Sequence, residues 1–393
     1  KLYTYRKYSD VRLVFAVEFQ TAFFGGDPDN FNFPRYDLDF SFLRLYENGR
    51  PVATPEHLKW NAAAPKDGEP VFVAGNPGGT DRLLTADQLA SLRDLSNPMS
   101  LILGSELRGR YTVFAQQSAE RARIANRSLF GLENGLKAQR GEQEALLQPA
   151  LFEAKRKADA ELKAKVMADP KLRTSIGDAW AEIAAAQNQR AALYKPYYML
   201  EARAGFGSTL YRYARTLVRA AEERAKPNGE RLREYADARL PLVEKQMLDP
   251  QPVYAEMDTL QLEFWLTKLR EELTADAPET ALFLGKDSPE ALASALAASR
   301  LADGALRKRL WDGGLAAIRT SDDPMIRFVL RTDDSARAIR KAYEERVSGP
   351  TDRASERIAQ ARFAVYGTSV YPDATFSLRL SYGKIAEIGR AHV

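Results

Sequence analysis

The chain contains no cysteine and only two histidines, His57 and His392, in 393 residues. The first absence excludes disulfides, thiolate zinc sites and a cysteine nucleophile. The second excludes a histidine-rich metal centre. No apolar run reaches the length of about eighteen residues that a membrane helix needs, so no membrane span is expected. A strong excess of either charge is also missing: 57 basic residues against 53 acidic ones leave a formal net charge of +4. That balance gives no support to a nucleic-acid partner. The glycine-rich stretch GNPGG (75–79) lacks the Lys-Ser/Thr ending of a phosphate-cradling loop. It reads as a strand-exit turn, and no cofactor or metal is expected.

What is present changes character along the chain. Residues 1–82 read as β: VRLVFAVEF (11–19), DFSFLRLY (39–46) and PVFVAG (70–75) are rich in Val, Phe, Leu and Tyr and are bounded by Gly, Pro, Asp and Asn. From 84 to 364 the period turns helical. LLTADQLASLRDLS offers Thr85 and Asp87 as caps, then repeats apolar residues three and four apart. Steps at Asp169–Pro170, Pro227–Gly229, Asp249–Pro250, Ser288–Pro289, Asp323–Pro324 and Gly349–Pro350 are expected to divide it into roughly ten helices. Leu147, Leu151 and Ala154 read as a core-facing stripe. From 365 alternation returns, with TFSLRLSYG (375–383) as a strand. The class is therefore α+β, with a long all-helical insertion between two β parts. Three or four strands are too few to close a barrel or build a sandwich, so both β parts are expected to be incomplete.

The acids Asp27, Asp29, Asp37 and Asp39 crowd one loop-and-strand passage, GGDPDNFNFPRYDLDFSFLRLY (25–46). An aspartate just before an apolar strand can be buried where the strand enters a barrel. There it must find donors, and a histidine ring N–H is a common one. That is the orienting role of the acid in a Ser-His-Asp triad. On spacing alone, Asp37 and Asp39 read equally as turn acids at a strand start.

That passage, together with VRLVFAVEFQTAFF before it and FVAGNPGGTDRLLT (72–85) after it, closely resembles bacterial dipeptidyl-peptidases of the 7/11 group. The helical block and TSVYPDATFSLRLSYGKIA fit the same family, so the resemblance covers nearly the whole chain. It implies a serine exopeptidase that removes dipeptides from free peptide amino termini, with a chymotrypsin-like double β-barrel and a helical domain inserted between the barrels. On that resemblance 1–83 is part of a first barrel lacking its amino-terminal portion, 84–364 the inserted helical domain, and 365–387 the start of a second barrel. Residues 388–393, IGRAHV, depart from the family and match one reading frame of a sequencing-library adapter. They are expected to be an assembly artefact.

The resemblance also assigns residues. Asp39 corresponds to the triad aspartate, with Asp37 as the alternative. Asn30 matches an asparagine that binds the substrate α-ammonium, whose three donors need fixed acceptors. Phe31 stands where relatives often carry Trp and offers a weaker cation–π face. Asn134, in LENGLKAQRG, matches a second amine-binding asparagine, with Asn126 as a rival and a solvated helix position as the plain alternative. The family's histidine lies before the acid, whereas His57 follows it, and no serine has the family's Gly-x-Ser-Gly setting. A fragment lacking both groups is expected to be inactive alone. Peptides with free amino termini are the implied partners, a homodimer a possible state, and the periplasm or exterior the implied location. The reading from another class is a non-catalytic helical binding or chaperone-like scaffold.

Overall fold

The computed structural model describes residues 6–22, 38 and 40–386, with Gln20 described by its backbone alone. It divides into two compact units: residues 84–370, and the flanking stretches 1–83 and 371–393 together. The molecule is mostly helical, with few strands.

In the flanking unit, β1 (Asp10–Ala16), β2 (Ser41–Glu47) and β3 (Arg50–Pro51) form an antiparallel sheet in that order. Their β-branched and aromatic residues favour extended backbone. Asn48 and Gly49, at φ 54° and 74°, make the two-residue turn between β2 and β3. Positive φ at both central positions gives that turn the twist its strands need. A register shift interrupts the β1 ladder between Leu13 and Phe15. β4 (Pro70–Gly75) pairs antiparallel with β5 (Arg379–Lys384), from Pro70↔Lys384 to Gly75↔Arg379. The sequence reading gives these two strands to different barrels; here they lie side by side. Beyond them Asn76 donates to the Phe376 carbonyl at 3.0 Å. Asp373 accepts from the Thr80 hydroxyl at 2.8 Å and from the Arg82 and Leu83 amides at 3.0 and 2.9 Å. Apolar side chains stand exposed on both faces of the strands, including Leu13, Val14, Phe72, Val73 and Leu380.

The helical unit starts at a capping box. Thr85 accepts from the Gln88 amide while the Gln88 side chain accepts from the Thr85 amide, so two orphan donors at the start of helix Ala86–Ser91 are satisfied together. Asp87 lies in the first turn rather than at the cap. The helices that matter below are α1 (Asn97–Gln116), α2 (Ala119–Leu146), α3 (Ala179–Tyr197), α4 (Thr209–Arg224), α5 (Leu240–Leu248), α6 (Ala255–Leu273), α7 (Gly304–Arg319), α8 (Pro324–Tyr343) and α9 (Gly349–Tyr366). Five of the six expected breaks fall between helices: Asp169, Ser288 and Asp323 are N-caps whose side chains accept from following amides, and the others follow α4 and α5. At Gly349–Pro350 the chain stays helical. The π turn Glu344–Ser348 joins α8 to α9 there, and its wider hydrogen-bonding pattern accommodates a proline that lacks an N–H.

The stripe Leu147, Leu151 and Ala154 does not face the core. All three are exposed, and Leu146 and Phe152 are buried instead. The reason is phase: α2 ends at Leu146, and the next helix begins afresh at Pro149 after an extended Gln148. Residues on either side of that joint do not share one helical face.

The largest core gathers aromatic rings from α4, α6 and α8 with Phe283. Trp265 meets Tyr211, Phe283 and Phe328 at centroid distances of 4.7, 5.9 and 6.0 Å, mostly tilted or edge-on as ring quadrupoles prefer. Its indole N–H donates to the Met199 carbonyl at 2.8 Å, so burial leaves no donor unmet. Tyr211 and Tyr235 are pushed up to about 12 by burial of their phenols. An unfolded tyrosine ionises near 10, so above that pH the unfolded chain sheds protons that the native core retains. Stability present below pH 10 is therefore expected to fall as pH rises from 10 to 12, by about 3 kcal/mol for each phenol. Urea titrations at pH 9 and pH 11.5 measure it, and Tyr235→Phe should flatten the slope. No helix among the described residues is long and apolar enough to cross a membrane.

Candidate active site

Asp39 lies outside the described residues, and so do Asp37, Asn30, Phe31 and His392. The sequence neighbours of Asp39 are described. Leu38 and Phe40, on either side of Asp39, are both exposed, and the Leu38 amide donates to the Thr21 carbonyl. Where β2 begins, Phe40 meets Phe15 and Phe42 at 5.6 and 5.3 Å, and Phe42 meets Trp60 at 5.9 Å. The strand β2 thus opens in an aromatic cluster. His57 sits in an exposed loop with Nδ1 2.9 Å from the Thr54 carbonyl. The GNPGG stretch is the exit from β4: the Phe376 amide donates to the Pro77 carbonyl, and Gly79 bridges Thr375.

Asn134 lies within α2, in the helical unit, and is half-buried, while Asn126 on the same helix is exposed. Ser118 caps α2 by accepting from the Arg121 amide at 3.1 Å. An ion pair of 2.9 Å between Arg108 and Glu133 ties α2 to α1 next to Asn134. Of the four sequence-derived site residues, the structure therefore places Asn134 alone.

Two other polar groupings were not singled out from the sequence. The first surrounds a cavity of about 510 Å³ between α1, α2, α6 and the segment after the π turn Tyr198–Ala202. On its wall the Gln261 side chain donates to the Tyr111 hydroxyl at 2.9 Å. Nearby, Ser208 caps α4 and donates its own hydroxyl to Asp258. Burial holds the Asp258 carboxyl above its ordinary range, against the opposing pull of the Ser208 hydroxyl and the Leu210 amide.

The second grouping is a buried ionic network joining α4, α8 and the π turn. Arg219 donates to both Glu201 oxygens at 2.8 and 2.7 Å and to Asp333 at 2.8 Å. Arg215 also pairs with Glu201, and Arg337 links Asp333 to Glu223. Burial works against the charge of Arg219, yet these hydrogen bonds hold its pKa above the ordinary value. The spacing of Arg215, Arg219, Asp333 and Arg337 was visible as i,i+4 charge, but helix-surface pairs look the same in sequence.

A sequence profile of the family described as Peptidase S46 matches residues 1–390. An Asp/Glu-specific dipeptidyl-peptidase of Shewanella putrefaciens is 29% identical over 399 aligned residues, covering 96% of this chain and 53% of that protein. A dipeptidyl-peptidase 7 of Phocaeicola vulgatus is 30% identical over 196 residues, 46% of this chain and 26% of that protein. Among solved structures, Porphyromonas endodontalis DPP11 in complex with the dipeptide Arg-Glu is similar in fold, with a TM-score of 0.71 at 22% identity. That likeness covers 98% of this chain and 57% of the other. The chain spans about half the length of the curated relatives that it matches end to end.

Proposed function

The chain belongs to the peptidase S46 family, and on that premise we propose that it is part of a serine-type dipeptidyl-peptidase acting on the free amino terminus of peptides. The family match across residues 1–390, which includes the passage around Asp39, carries this reading. In it, Asp39 orients an imidazole that takes the proton of a serine hydroxyl as the hydroxyl attacks the scissile carbonyl. The same imidazole returns that proton to the leaving amine, and water then releases the dipeptide. Asn30 and Asn134 accept from the substrate ammonium, with the Phe31 ring beside it. Holding that charge at a fixed distance from the nucleophile leaves room for two residues and no more, which makes the enzyme an exopeptidase.

The histidine and serine belong to chain beyond these 393 residues, so this chain alone is expected to show no turnover. The bare apolar faces of β1, β4 and β5 support that completion. Exposed apolar surface of such extent usually has a covering partner, and the remainder of two chymotrypsin-like barrels would supply one. A periplasmic or secreted location and a homodimer belong to the same proposal. No observation favours the scaffold reading.

The amine pocket provides the test. A hydrogen bond to a charged group contributes about 1.5–3 kcal/mol. In the longer protein, Asn134→Ala should therefore lower kcat/KM for a dipeptidyl fluorogenic substrate by about tenfold or more, while Asn126→Ala leaves it near wild type. N-acetylating the substrate should abolish cleavage. Equal turnover of free and acetylated peptides would rule out amine recognition and, with it, the dipeptidyl-peptidase assignment.

A further inference from the structure

The cavity of about 510 Å³ in the helical unit is within the usual size of small-ligand sites, about 300–1,000 Å³. Its α2 wall carries Gly131 and Gly135, one turn apart and on the same face. Glycine inside a helix costs about 1 kcal/mol relative to alanine, so a local reason is to be expected. Gly104, across on α1, has one, because a Cβ there would stand 2.9 Å from the Leu136 side chain. Gly131 and Gly135 have none, since a Cβ at either would meet nothing within 4 Å. What their missing side chains provide is a bare stretch of wall that another backbone can approach closely.

A second observation is independent of the glycines. Tyr111 and Gln261, 3% and 6% exposed, both line the cavity. The Gln261 Nε2 donates to the Tyr111 hydroxyl oxygen at 2.9 Å. The phenol hydrogen, the second amide hydrogen and the amide oxygen have no further partner among the described residues. Turning the amide over exchanges the roles, but again leaves donors and an acceptor to spare. A buried pair offering both donor and acceptor suits a peptide group, which presents one C=O and one N–H. Arg203, the only charged residue on the cavity wall, is exposed and has no carboxylate partner among the described residues. A guanidinium in that setting suits a carboxylate.

We infer that this cavity binds the carboxyl-terminal end of a short peptide, with the main chain along the Gly131–Gly135 wall, one peptide group on Tyr111 and Gln261, and the terminal carboxylate at Arg203. The inference rests on the peptidase reading only for the source of the peptide. Its probe is N-acetyl-trialanine, which has no free amine and so does not use the pocket proposed around Asn30 and Asn134. Titrated into the 393-residue chain and followed by calorimetry, it should bind saturably in the millimolar range or tighter. Gly135→Leu, which fills the cavity, should weaken binding by about tenfold or more. Gly141→Leu, on the same helix but off the cavity wall, should not, and neither change should lower Tm, because both improve helix propensity. Tyr111→Phe should weaken binding several-fold, and Arg203→Ala should remove the advantage of the acid over its carboxyl-terminal amide. Absence of saturable binding, or unchanged binding in Gly135→Leu, would overturn the inference. A longer protein that fails to release dipeptides would leave this result untouched and would sink the peptidase reading instead.

Discussion

Asp39→Asn, at the proposed triad acid, is expected in the longer protein to lower kcat by about 10⁴-fold with little change in KM, as loss of the orienting acid does in triad hydrolases. The substitution keeps shape and removes charge. An amide can present its N–H to the imidazole and so select the wrong tautomer, and it no longer stabilises the imidazolium that forms as serine attacks. Substrate binding should be left intact, because the ammonium contacts proposed at Asn30 and Asn134 lie elsewhere. Asp37→Asn is the companion measurement. If it abolishes turnover while Asp39→Asn does not, the acid has been assigned two residues too late. If both variants keep full activity, the triad reading fails. Steady-state kinetics on a dipeptidyl substrate, with circular dichroism to confirm the fold, separates these outcomes.

The second large effect concerns stability. Glu201→Ala is expected to destabilise the helical unit by about 3–5 kcal/mol, the usual result of removing one partner from a buried ionic cluster. Both Glu201 oxygens accept from Arg219, which is 3% exposed, and Arg215 pairs with the same carboxylate. Truncation would leave Arg219 with Asp333 alone and take from Arg215 the carboxylate it pairs with. Burying charge without compensation is what makes the loss large. Exposed pairs give the contrast: removing Asp312, which meets Lys308 at 2.8 Å on the surface of α7, should change stability by less than about 0.5 kcal/mol. Chemical denaturation of the two variants measures the difference, and equal midpoints would mean that the cluster is structurally idle.

Much of the architecture was legible because it depends on local chemistry. Thr85 read as a cap is one, and the steps read as breaks at Asp169, Ser288 and Asp323 are helix starts capped by those side chains; the Asn48–Gly49 turn, a signal of the same local kind, went unread. Reading failed where helix phase depended on a joint. Leu147, Leu151 and Ala154 look like one stripe until the break at Gln148 and Pro149 rotates the second helix away from the first. The pairing of β4 with β5 was equally hidden, since nothing local in PVFVAG names a partner some 300 residues later. At the candidate site, family likeness supplied Asp39, Asn30, Phe31 and Asn134, which spacing alone left as turn acids and polar surface. The Tyr111–Gln261 pair and its glycine wall bring together α1, α2 and α6, and no single window of sequence contains all three.

The β4–β5 ladder and the Asp373 clamp tie residues 70–83 to 373–384, so the helical unit leaves and re-enters the flanking unit at one stem. Closing that stem around a disordered loop of this length would carry an entropy penalty that grows with the logarithm of the loop. Helices built from near-neighbour contacts form much faster than such distant pairings. The order of events follows: the helical block consolidates first and carries the two strands toward each other, and the ladder zips last. During synthesis, β4 must therefore wait, unpaired on that edge, until residues 379–384 have emerged.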